Sequence, residues 1–319
     1  MTAPRRRTIG SSDLSVYPLS LGGNVFGWTA DRETSFAVLD GYTAAGGNFI
    51  DTADGYSAWA PGNIGGDSER ILGEWFADRG NRDDVVLATK VSQHPDFTGL
   101  AADNILKAAD ASLERLKSDH IDLYYAHFDD ASVPLEETVA ALSSLVDAGK
   151  VRHIGISNYS PQRIQEWFRI TEAEGLHRAV ALQPHYNLVE RGFEDAYLEL
   201  AERENLGVVP YFALAAGFLT GKYRDGITVD SARAAGASKY LDDRGRAVLA
   251  ALDDVAAAHS ASVASVALAW LAAQPTVVAP IASARTLDQL PDLLASVSLE
   301  LTPAELDALT DASELDDAA

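Results

Sequence analysis

No cysteine occurs among the 319 residues, and this absence removes disulfides, thiolate nucleophiles and cysteine-ligated zinc or iron–sulfur centres. Nothing in the chain points to an oxidising compartment. Long hydrophobic runs are also missing. No apolar stretch approaches the ~20 residues of a membrane span, and the basic residues 1–7 are not followed by the apolar core of a secretory leader. The reading is a cytoplasmic chain without a membrane partner. Positive charge is scarce, with Lys+Arg of 25 against Asp+Glu of 47 and a net charge of −22. Such a surface repels nucleic acid and anionic lipid. Any phosphate-bearing ligand therefore needs a local cluster of cations.

What is present is ordinary for a globular chain, with 47% hydrophobic and 23% charged residues. Short apolar runs at 19–22, 48–51, 85–90, 121–127, 151–156, 180–183, 207–210 and 277–281 read as strands buried on both faces. Amphipathic patterns at 32–45, 68–78, 101–116, 135–148, 161–174, 193–204, 244–259, 262–273 and 303–313 read as helices. Ser160-Pro161 supplies a cap and a first-turn proline, and Gly46, Gly149 and Gly175 follow helix ends. Strand–helix alternation with eight strands predicts an α/β chain folded as a (β/α)8 TIM barrel, one domain over 1–319. Before the first strand, Thr8-Ile9, a turn at 10–13 and Val16-Tyr17 predict a β-hairpin plug for the barrel bottom. The connections at 57–67 and 224–243 are long enough to suggest function.

Four polar residues, Asp51, Tyr56, Lys90 and His127, sit at or just past the carboxyl ends of apolar runs, where a parallel barrel keeps its chemistry. A tyrosine with an ordinary pKa of about 10 serves as a proton donor near neutral pH when a cation stabilises its phenolate. Lys90 is the candidate cation, Asp51 the candidate to hold its charge, and His127 either orients a carbonyl oxygen or joins the proton relay. The set reads as a device for protonating a carbonyl. A strand-end lysine also admits a Schiff-base aldolase, but a carboxylate that keeps Lys90 charged argues against a nucleophilic amine. A metal site is not expected, because His94, His153 and His185 lie at no ligand spacing to His127.

Further along, Ser157, Asn158 and Gln183 end strands with groups that donate and accept at once, which suits a carboxamide. The run Gly217-Phe-Leu-Thr-Gly-Lys222 offers backbone N–H groups and a cation to a pyrophosphate. Ser283, Arg285 and Gln289 open a helix whose amino end favours an anion. Trp28, Trp59 and Phe128 follow strand ends and line an apolar mouth open to bulky substrates.

The runs Asp51-Thr-Ala-Asp-Gly-Tyr56, Gly155-Ile-Ser-Asn-Tyr159, Gln183-Pro-His-Tyr-Asn-Leu188 and Gly217-Phe-Leu-Thr-Gly-Lys-Tyr223, with Lys90 and His127, resemble the aldo-keto reductases in order and spacing from about Thr8 to Leu309. The resemblance implies a barrel that binds NADPH (NADP+) in extended form and reduces a small-molecule aldehyde or ketone, with Tyr56 as proton donor. It also implies that Ser157, Asn158 and Gln183 hold the nicotinamide carboxamide and that Tyr211 stacks on the ring. The remaining implied cofactor contacts are Gly22, Asp51, Phe212, Ala213, Leu214, Gly217, Leu219, Gly221, Lys222, Ser283, Arg285 and Gln289. The chain departs from the family pattern at Phe212-Ala213, where a small hydroxyl residue and proline are usual, and at Gln289 and Leu293, where arginine and asparagine are frequent. Some proteins of this fold are cofactor-binding regulatory subunits of channels; the intact Asp51, Tyr56, Lys90 and His127 set favours an enzyme.

Overall fold

The computed structural model describes residues 5–314. Strands β1 (Arg7–Thr8) and β2 (Ser15–Val16) pair antiparallel, with Arg7 opposite Val16. Next come β3 (Ser20–Gly22), β4 (Phe49–Asp51) and β5 (Val86–Val91). A small antiparallel hairpin, β6 (Gln93–His94) and β7 (Phe97–Thr98), interrupts the series. It continues with β8 (Ile121–Ala126), β9 (Val151–Ser157), β10 (Ala179–Gln183), β11 (Gly207–Val208) and β12 (Ile281–Ala282). Eight of these strands form one parallel sheet in the order β11-β10-β9-β8-β5-β4-β3-β12. A bridge between Val208 and Val277 joins its two ends, so the sheet curls back on itself in a way that fits a (β/α)8 barrel.

Helices α1 (Arg32–Ala44), α2 (Asp67–Arg79), α3 (Ala102–Leu116), α4 (Leu135–Asp147), α5 (Pro161–Glu174) and α6 (Gly192–Arg203) connect successive strands. The pair α8 (Asp243–His259) and α9 (Val263–Ala272) and the last helix α11 (Pro303–Ala312) also follow their patterns to within a residue or two. Local chemistry accounts for the ends. The Ser160 hydroxyl accepts from the Arg163 N–H ahead of Pro161, and Gly175 ends α5 at φ 67, where a side chain would be strained.

Strand parity sorts the side chains. Ile50, Leu87 and Tyr124 pack in the layer under the helices. Their neighbours Phe49, Val86, Ala88, Leu123 and Tyr125 form a second cluster inside the sheet with Ala181, Val209 and Ala279, and Ile9, Leu14 and Val16 of the hairpin pack against that same cluster. Gly155 is needed here, because a Cβ would stand 2.3 Å from the Tyr125 ring. Continued in steps of two, the inward positions reach Asp51, Lys90, His127, Ser157 and Gln183. All five gather at the carboxyl ends.

Three regions differ from the sequence reading. The strand expected at 277–281 narrows to Ile281–Ala282 plus the Val277 bridge, because Pro280 has no N–H to give and contributes only its carbonyl, which accepts from Ser20 N at 2.9 Å. The connection at 224–243 carries a short helix, α7 (Ala234–Ser238). The third is the unexpected β6–β7 hairpin, which turns at Pro95-Asp96, a pair of residue types that favours turns.

Candidate active site

Lys90 is fully buried, and its ammonium spends all three protons: on Asp51 Oδ1 at 2.6 Å, on the Thr52 carbonyl at 2.7 Å and on the Tyr56 hydroxyl at 3.1 Å. Burial alone opposes its charge, yet Asp51 and Tyr56 outweigh burial and hold the lysine pKa above its ordinary value. The amine has no free lone pair. A Schiff-base nucleophile needs one, so this geometry argues against the aldolase reading. Because the Tyr56 oxygen accepts from Lys90, its own proton is left to point into the cavity that Tyr56 lines. Burial raises the Tyr56 pKa, and the attraction of Lys90 only partly offsets this. Tyr56 is thus protonated throughout the neutral range.

His127 stands with its ring centroid 6.1 Å from that of Tyr56. Burial, and then the nearby Lys90 charge, push its pKa well below the ordinary histidine value, so the ring is neutral. Its Nδ1 is buried without a partner. A bare lone pair tolerates that isolation better than an N–H does, which places the ring proton on Nε2. Among the described residues no group of three His, Asp or Glu side chains is arranged to hold a metal ion.

The carboxamide candidates are linked to this set and to each other. Gln183 Nε2 donates to Asp51 Oδ2 at 2.9 Å, and Ser157 Oγ donates to the Gln183 carbonyl at 2.9 Å. Asn158, at φ 56, donates to the His127 carbonyl at 2.9 Å and accepts from the Tyr211 hydroxyl at 2.9 Å. Tyr211 in turn stacks on His185, with centroids 5.2 Å apart.

Asp51, Tyr56, His127, Asn158, Gln183 and Tyr211 border one cavity of about 1210 Å³, while Lys90 lies buried behind Tyr56. Gly22, Asp51, Tyr56, His127, Asn158, Gln183, Tyr211, Phe212, Ala213, Leu214, Gly217, Lys222, Ser283, Arg285 and Gln289 line it, as do Trp28, Trp59 and Phe128. Trp28 meets Trp59 edge-on at 5.6 Å, and Trp59 meets Tyr56 at 6.1 Å. Three proposed cofactor contacts do not line the cavity. Ser157 turns to the Gln183 carbonyl, Leu219 packs its side chain in the core, and Gly221 closes the 3-10 turn at Ala215–Thr220. The expected helix opening at Ser283 is also corrected: Ser283 and Arg285 lie in a loop ahead of a 3-10 turn at Leu287–Gln289 and α10 (Leu290–Ala295). The Gln289 side chain accepts from the Arg285 N–H at 2.9 Å and so shapes that loop.

Two residues escaped the sequence reading. Arg233, from the long segment after the seventh barrel strand, lies 5.6 Å above the Trp28 ring and faces the cavity. With Lys222 and Arg285 it makes three cations that have no acidic partner among the described residues. Burial, then the proximity of Arg285, lowers the pKa of both Arg233 and Lys222. In a chain of net charge −22, three converging cations without an acidic partner among the described residues could hold phosphate groups.

The other is Asp54, buried with neither carboxyl oxygen hydrogen-bonded. Burial, reinforced by Glu69, pushes its pKa up to about 8. A carboxyl that ionises near pH 4 unfolded and near 8 folded stabilises the fold below pH 4, and that contribution is lost as pH rises to 8. Asp54→Asn removes the penalty. It is expected to stabilise the protein at pH 8 by up to about 5 kcal/mol and to flatten the fall in melting temperature between pH 5 and 8. Thermal melts across that range check both.

The model of the aldo/keto reductase family matches residues 18–314, and the chain belongs to that family. Membership makes it an oxidoreductase of a carbonyl-reducing family that uses nicotinamide cofactors. The chain is 34% identical to norsolorinic acid reductase B of Aspergillus parasiticus, over 98% of its own length and 84% of that protein. It is 35% identical to Uncharacterized oxidoreductase YrpG of Bacillus subtilis, with 95% and 94% covered. With Protein tas of Escherichia coli it shares 32% identity over 94% and 96%.

Proposed function

We propose that this chain is a cytoplasmic NADPH-dependent reductase that converts aldehyde or ketone carbonyls of small molecules to alcohols, with Tyr56 as proton donor. The observation that carries the reading is the saturated Lys90 ammonium, which leaves the Tyr56 proton free for the cavity. The bound cofactor supplies the hydride. Tyr56 gives its proton to the substrate oxygen, Lys90 stabilises the phenolate that remains, and Asp51 keeps Lys90 charged. The Nε2–H of neutral His127 orients that oxygen. Trp28, Trp59 and Phe128 receive the apolar body of the substrate. The hairpin of β1 and β2 serves as the plug at the opposite end.

Gln183 and Asn158 are read as the carboxamide ligands, Tyr211 as the ring platform, and Lys222 with Arg233 as the pyrophosphate cations. Arg285 addresses the 2′-phosphate. A charge-assisted contact there is worth about 1.5–3 kcal/mol, roughly 10- to 150-fold in affinity for NADPH over NADH. Asp288 and Asp292 line the same cavity, and carboxylates there oppose a phosphate, which sets the preference at the low end of that range. Titrating both cofactors by quenching of intrinsic fluorescence tests it. Arg285→Ala should erase the difference, whereas Arg233→Ala should weaken both cofactors alike. Equal wild-type affinities, or an unchanged ratio in Arg285→Ala, would remove Arg285 from the role.

A further inference from the structure

Gln183 stands at the junction of two machineries. Its side chain is buried at the end of β10, 132 positions from Asp51, yet its amide N–H meets Asp51 Oδ2 at 2.9 Å. Asp51 Oδ1 is already held by Lys90 at 2.6 Å, so the carboxylate is gripped from two strands on opposite sides of the site. An amide has two N–H groups and one carbonyl oxygen. One N–H on Asp51 leaves the other N–H and the oxygen for the cavity Gln183 lines. The backbone of Gln183 is fixed as well, because its carbonyl accepts from Ser157 Oγ at 2.9 Å, and Ser157 Oγ accepts from Asn158 Nδ2 at 3.0 Å. The groups able to receive a carboxamide are therefore wired to the carboxylate behind the proton donor.

We propose that Gln183 is a positioning residue that couples cofactor binding to proton donation: the amide that receives the nicotinamide carboxamide also fixes the Asp51 carboxylate, and through it holds Lys90 under the Tyr56 hydroxyl. The proposal rests on the reductase reading above. It assigns Gln183 an effect on the chemical step that a cofactor ligand alone would lack. Removing the amide leaves the buried Asp51 Oδ2 without its donor and frees the carboxylate to turn away from Lys90. Hydrogen bonds to a charged group are worth more than neutral ones, and this one acts entirely through Asp51.

The test is a double-mutant cycle between Gln183 and Asp51, read both as kcat at saturating cofactor and as cofactor Kd by fluorescence quenching. Gln183→Leu should lower kcat by roughly 10- to 100-fold in the wild-type background and by less than about 3-fold in Asp51→Asn, as expected for groups that act as one unit. Its loss of cofactor affinity should be the same in both backgrounds. Gln183→Glu keeps the shape but sets a carboxylate against Asp51; it should cost more kcat than Gln183→Leu, and the excess should vanish in Asp51→Asn. Circular dichroism and melts on each variant guard against reading misfolding as lost coupling, and Gln183→Glu, nearly isosteric, stands in if Gln183→Leu fails to fold. A weaker Kd with intact kcat would make Gln183 a cofactor ligand only and overturn the proposal. So would kcat losses that multiply independently of Asp51. A wild type inert toward every carbonyl would overturn the reductase reading itself, and this proposal with it.

Discussion

Tyr56→Phe is expected to lower carbonyl reduction by about 10²- to 10⁴-fold, the usual contribution of a positioned general acid, while leaving cofactor affinity within about 2-fold. The ring remains, so its edge contacts with Trp59 and His127 survive. What disappears is the hydroxyl that accepts from Lys90 at 3.1 Å and offers its proton to the cavity. The pH dependence carries the same signature. Because burial raises the Tyr56 pKa above 10 and lowers that of His127 well below 6.5, wild-type kcat for reduction should be level through neutral pH and decline only as the medium becomes strongly alkaline. A break near the ordinary histidine pKa would assign the proton to another group. Near wild-type turnover by Tyr56→Phe would remove the tyrosine from the mechanism.

Lys90→Met is expected to be equally damaging to turnover and more damaging to the fold. The substitution deletes the cation that stabilises the phenolate and strands Asp51 in a buried site with only Gln183 left to it. Breaking a buried pair from one side typically costs about 3–5 kcal/mol, because the surviving charge is uncompensated. Adding Asp51→Asn should restore most of that stability and none of the turnover. Denaturant melts of the single and double variants, set beside their kcat, separate the two effects. Stability unchanged in Lys90→Met would contradict the buried ion pair, and turnover unchanged would contradict the role of the cation.

The strand ends were legible because both faces of β4, β5 and β10 are buried, so apolar runs stop where polar residues begin: Asp51 after Phe49-Ile50, Lys90 after Val86-Leu-Ala-Thr89, Gln183 after Ala181-Leu182. Two-residue parity then sends Asp51, Lys90, His127 and Gln183 to the same side without further information. Contacts across the sheet were not legible. The bond from Gln183 to Asp51 joins β10 to β4, which are far apart in sequence and not neighbours in the sheet. Arg233 was hidden for a different reason. Its segment has neither helical nor strand period, so its approach to Trp28 depends on how the loop folds over the cavity. Asp54 was noticed only as part of a motif, since one sequence does not reveal that Glu69 and the α2–α3 layer would close around it. Phe212 adopts φ 51 while Asn187 Nδ2 donates to its carbonyl at 2.9 Å. That tertiary contact holds a backbone conformation no local propensity favours.

The central claim, that Tyr56, Lys90, Asp51 and His127 protonate a carbonyl reduced by a nicotinamide cofactor, is tested most directly by following reduced-nicotinamide absorbance with wild-type protein, excess EDTA and a panel of aryl and alkyl aldehydes and ketones. Cofactor oxidation is expected to be matched mole for mole by alcohol, faster with NADPH than with NADH and unaffected by the chelator. Tight cofactor binding without oxidation by any carbonyl would contradict it and leave a cofactor-binding regulatory subunit as the better description.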